Sequence, residues 1–105
     1  MNHAVELFTA TPRMHNCAQA VAGGLGRDEL LPELAACGGG RAPGGVCGAL
    51  HAAMLIAGPE HAEALRGRFV AELGSDKCAD LKRVHNVPCA KCVETAAQLA
   101  AEYAK

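Results

Sequence analysis

Glycine and proline cut this chain into short pieces, and that punctuation constrains its fold more than any other feature. Breaks fall at Gly23-Gly24, from Gly38-Gly39-Gly40 through Pro43-Gly44-Gly45, at Gly58-Pro59, at Gly74 and before Pro88. Between the breaks, apolar residues recur at helical spacing, and no stretch alternates long enough to make a strand. The spacing predicts helices from about Thr11 or Pro12 to Ala22, Asp28 to Leu34, Val46 to Ala57, Glu60 to Leu73 and Pro88 to Tyr103. Asp28 is placed to cap the second, and Asp76 to cap a short turn bearing Cys78. The expected fold is all-α, a compact bundle of about five or six short helices. At 105 residues the chain makes one domain, 1–105.

Composition says what such a bundle lacks. Half of the residues are hydrophobic, but Phe8, Phe69 and Tyr103 are the only aromatics and there is no Trp. A core made largely of Ala, Val and Leu fills little volume. A cofactor, a crosslink or a partner subunit would help to fill it, and a second copy of the chain, giving a homodimer, is one such partner. The formal net charge of -1 provides no basic field for nucleic acid. No apolar run approaches the length of a membrane span, so no membrane insertion is expected. Residues Met1 to Thr11 include His3 and Glu6 and lack a basic segment followed by an apolar one, which predicts no signal peptide and a cytoplasmic protein.

Six cysteines, Cys17, Cys37, Cys47, Cys78, Cys89 and Cys92, carry the chemistry. In a reducing compartment that number points to metal ligation or redox work rather than a disulfide framework. Cys47 follows a glycine-rich loop and opens a helix, and Cys89 follows Pro88 in the same way. Helix starts favour thiolate over thiol, so these two are the candidate catalytic sulfurs. A buried cysteine is also an ordinary small hydrophobe, and the pair of such placements is what favours function.

Cys89-Ala90-Lys91-Cys92 is a C-x-x-C with no second pair to complete a zinc site, no βαβ context for a thioredoxin motif, and Val93 where haem attachment needs His. Its two sulfurs occupy neighbouring helical positions, able to bind one metal or close one disulfide. Cys92 is expected within reach of any main cluster. His51 lies one turn after Cys47 and is placed to serve as a ligand or base, although a partly exposed helix histidine with no such role is the commoner case. His15, beside Asn16-Cys17, is equally ambiguous. His85 is expected to be solvated, as is the Lys82-Arg83 pair. Gly38 to Gly40 have no preceding strand and no following Gly-Lys-Ser/Thr, which argues against a nucleotide loop.

Larger pieces run together in order. They are Asn16-Cys17-Ala18-Gln19-Ala20-Val21, then Gly38-Gly39-Gly40, then Gly44-Gly45-Val46-Cys47-Gly48-Ala49. Phe69 to Cys78 and Cys89 to Glu94 follow. In these pieces, over about Asn16 to Ala97, the chain resembles a redox-active protein family that carries a C…CGAxxG…C…C cysteine pattern. The resemblance implies four characteristic cysteines, here Cys17, Cys47, Cys78 and Cys89. Ala52 stands where the pattern has its last glycine, the span between Cys78 and Cys89 is short for the family, and Cys37 and Cys92 are additions. The expected function is that of a small redox-active or metal-binding protein. Its centre would be iron–sulfur, zinc or a thiol/disulfide couple, with Cys17, Cys47, Cys78, Cys89 and Cys92 as metal ligands and a redox or metal-transfer partner. The alternatives are a metal chaperone or sensor without turnover, and a structural helical domain with buried thiols.

Overall fold

The computed structural model describes residues 3–9, 16–35 and 46–103, with backbone alone at His3, Leu7, Thr9, Cys78, Ala79, Lys82 and Cys89. Cys37, His15 and the glycine-rich stretch 38–45 lie outside the described residues. Within them the protein is all-α. In chain order the helices are α1 (His3–Thr9), α2 (Cys17–Gly24), α3 (Leu31–Leu34), α4 (Gly48–Ala57), α5 (Ala62–Leu73), α6 (Cys78–Arg83) and α7 (Cys89–Tyr103). A 3-10 turn, Asp28–Leu30, leads into α3. The only extended pairing among the described residues is a single antiparallel bridge, Val46 to Lys77.

The core is built around α7, which packs against α1, α2, α4 and α5, while α2 and α4 also pack closely on each other. Small residues make this possible. Ala18, Ala20, Val21 and Ala22 of α2 are buried, as are Gly48, Ala49, Leu50, Ala52, Ala53 and Ile56 of α4. Cys92, Val93, Ala96, Ala97, Leu99 and Ala100 of α7 join them. Ala side chains let helix axes approach, and the larger Leu50, Leu65 and Phe69, each fully buried, fill what remains. Ala52 is fully buried in the packing of α4.

Several local expectations are corrected. The first predicted helix begins later, at Cys17, because Asn16 caps it with a reciprocal capping box: its side chain accepts from the Gln19 amide, and the Gln19 side chain accepts from the Asn16 amide. That helix also runs through Gly23 and Gly24 instead of stopping before them. Gly24 is where α1 crosses, and a Cβ there would stand 2.6 Å from the Ala4 backbone. α1 lies outside the predicted helices, although Ala4 and Val5 each sit one turn before Phe8 and all three are buried. Asp28 does not cap: Arg27 holds the cap position, and Asp28 is the first residue of the 3-10 turn. Gly74, with φ of 102°, ends α5 in the left-handed region as its position suggested. His85 is exposed, as expected, and its ring stands beside Gly74, 2.8 Å from where a Cβ would be.

Candidate thiol site

Four cysteines stand where chains enter helices. Cys17, Cys78 and Cys89 are the first residues of α2, α6 and α7, and Cys47 is the cap residue of α4. The physical reason is shared, since each follows a break or a polar cap that releases the preceding backbone from helical geometry.

Cys17 is half-buried and packs on the core. Its position is anchored through Asn16, whose side-chain Nδ2 donates to the carbonyls of Leu34 and Ala35 at 3.1 and 3.0 Å. Gln19 Nε2 donates to the Leu31 carbonyl at 3.0 Å. The start of α2 is therefore tied to α3 by three hydrogen bonds from the two capping residues. The N-x-x-Q spacing was the signal available for this, and the sequence reading did not use it.

Cys47 is 4% exposed and sits in extended backbone. Its amide donates to the Asp76 carbonyl at 2.8 Å, and its own carbonyl accepts the His51 amide as the first link of α4. With Val46 bridged to Lys77, the segment entering α4 is paired antiparallel with the segment entering α6. This is how the fold brings Cys47 beside the start of the helix that opens on Cys78. Leu50 shares the buried face with Cys47, and Met54 is half-buried on it.

Asp76 was expected to cap α6, and it does not. Lys77 holds the cap position without a side-chain bond, and Ser75 Oγ accepts the Lys77 amide at 3.0 Å. Asp76 is instead buried and paired with Arg66 of α5. Arg66 Nε and Nη2 both reach the same carboxylate oxygen, at 2.8 and 2.7 Å. A capping motif and an ion pair draw on the same residue type, so nothing local in the sequence separated them.

Cys92 is 4% exposed, on the inner face of α7. Its amide and that of Lys91 donate to the Pro88 carbonyl, closing the first turn around Cys89. His51 is half-buried and lines an apolar groove of about 270 Å³ with Met54, Leu55, Gly58, Pro59 and Ala62. Among the described residues no group of three or more His, Cys, Asp or Glu is placed to hold a metal ion. Cys37 and the sulfurs of Cys78 and Cys89 lie outside that set. No described helix is long and apolar enough to cross a membrane. Compared with known proteins, the chain matches no described family, no curated protein and no solved structure.

Proposed function

We propose that this is a small redox-active or metal-binding protein whose working groups are cysteine thiolates gathered around Cys47. The observation that carries the reading is the pairing of the α4 entrance with the α6 entrance through the Cys47 amide and the Val46–Lys77 bridge. Long-range backbone pairing thereby ties two cysteine-bearing helix starts together. Helix starts favour negative sulfur, which suits both thiol exchange and soft metals. Cys17, Cys47, Cys78 and Cys89 would supply the thiolates, with Cys92 one turn into α7 as an accessory ligand. An iron–sulfur or zinc centre held there would supply electron transfer or a closed binding site respectively. Cys47 and Cys89 would be the reacting sulfurs of a thiol/disulfide couple. A cytoplasmic setting, which keeps thiols reduced, and a redox or metal-transfer partner suit this reading.

The structural alternative is favoured by one observation, the burial of Cys47 and Cys92 among apolar neighbours. Anaerobic purification followed by metal analysis and thiol titration separates the two. Iron with visible charge-transfer absorption, stoichiometric zinc, or a two-electron thiol titration would each support the proposal. A metal-free chain whose thiols titrate only independently is the result that rejects it. Cys47→Ser is expected to abolish the centre while far-UV circular dichroism retains the helices.

A further inference from the structure

Antiparallel register has a consequence for the charge next to Cys47. Val46 opposes Lys77, so Cys47 directly opposes Asp76, and the 2.8 Å bond from the Cys47 amide to the Asp76 carbonyl agrees with that alignment. Directly opposed residues place their side chains on the same face, with Cβ atoms about 4.5–5.5 Å apart. Both side chains are buried, Cys47 at 4% and Asp76 at 8% exposure. The Asp76 carboxylate is held on its far side by Arg66. By this register a buried cysteine stands opposite the residue that carries one half of a partly buried ion pair.

We propose that Arg66 and Asp76 are positioning residues for the Cys47 sulfur, whose opposed charges set the reduction potential of the thiol centre. This rests on the reading of Cys47 as a working thiol given above. In a thiol couple, the Cys47 thiolate and a second protein thiol reduce one glutathione disulfide. The S–S bond of glutathione breaks and one forms in the protein, and the two glutathione sulfurs leave with the two electrons as one thiol, which takes the proton of the second protein thiol, and one thiolate. The reduced centre thus carries negative charge on Cys47 that the disulfide lacks, and an iron centre that accepts an electron gains negative charge in the same place. A charge facing that sulfur thus acts on the reduced state more than on the oxidised one.

Of the other described charged groups nearby, Lys77, beside Asp76, and Asp80 of α6 are both exposed. On the helices packed against α4, α2 offers no charged side chain. On α5, Glu63 reaches Arg66 at 3.4 Å but is 82% exposed and strongly screened. Lys91 and Glu94 at the start of α7 pair with each other at 3.1 Å. On α4 itself, His51 lines the groove described above.

The test measures the potential of the chain as purified under anaerobic conditions. Equilibrium with glutathione reads a thiol couple, and a redox titration of visible absorption reads an iron centre. Arg66→Gln leaves the carboxylate uncompensated and should lower the potential, making disulfide formation about tenfold more favourable for one charge at this separation. Asp76→Asn leaves the guanidinium uncompensated and should raise it by a similar factor, about 30 mV for a two-electron couple. The double variant should return to within about threefold of the parent, since the opposed charges are then both gone. Circular dichroism on each variant checks that the helices remain. A merely structural clamp would loosen in both single variants and shift them in the same direction. Shifts of one sign, no shift, or a redox-silent zinc site would overturn the inference and leave the thiol reading standing. A chain with neither metal nor paired thiols would remove both.

Discussion

Adding one methyl at Gly24 and one at Gly67 should move stability in opposite directions, although the two substitutions are chemically identical. Gly67 is exposed on α5, with open space where its Cβ would be. Gly67→Ala should therefore stabilise by about 1 kcal/mol, the helix-propensity difference. Gly24 closes α2 against α1. A Cβ there meets the Ala4 Cα and N at 2.6 Å and its Cβ at 2.7 Å, whereas ordinary contact begins at 3.4 Å. The obstacle is backbone, which cannot rotate aside, so α1 as a whole must retreat by roughly 0.8 Å. α1 is seated by Ala4, Val5 and Phe8, all at most 8% exposed. Overpacking of this kind costs about 1–3 kcal/mol, offset by up to about 1 kcal/mol of helix propensity. The net expectation is a loss of about 1–2 kcal/mol. For a domain of this size that is roughly a 5–10 °C fall in Tm, against a rise of about 4–8 °C for Gly67→Ala. Thermal unfolding followed by circular dichroism at matched protein concentration and redox state measures both. If Gly24→Ala stabilises as much as Gly67→Ala does, α1 is not docked across α2 in the way described.

Asn16→Ala removes the capping box and both side-chain bonds to the end of α3, so its cost should reach the upper end of the capping range, about 2 kcal/mol, read from urea denaturation. Gly74→Ala should destabilise by about 1–2 kcal/mol through its φ of 102° and its contact with the His85 ring. Adding His85→Ala should recover only the contact portion of that loss, as equilibrium unfolding of the double variant would reveal. Within the thiol site, Cys92→Ser should weaken metal retention or shift the thiol titration less than Cys89→Ser. Equal losses in metal analysis of the two variants would instead make Cys92 a primary ligand.

The sequence determined the parts of this protein that depend on neighbours in the chain. Glycine and proline cannot sit inside most helices, so Gly58-Pro59, Gly74 and Pro88 separated α4, α5 and α7 at nearly the right residues, and periodicity placed Leu50, Ala96 and Leu99 inside. It also placed Cys47 and Cys89 at helix starts, because the same breaks that end one helix permit the next. What it did not determine is everything that depends on what lies opposite. Gly24 reads as a terminator until α1 crosses it, since only the crossing makes a missing Cβ a packing requirement. Asp76 reads as a cap until Arg66, ten residues earlier on another helix, reaches its carboxylate. The pairing of Cys47 with Asp76 spans 29 positions and follows no period in either segment. Local propensity is a property of a few adjacent residues, whereas an ion pair or a single backbone bridge exists only once the helices have packed. The start sites of the helices were therefore written in the sequence, and the surroundings of Cys47 were decided by the tertiary structure.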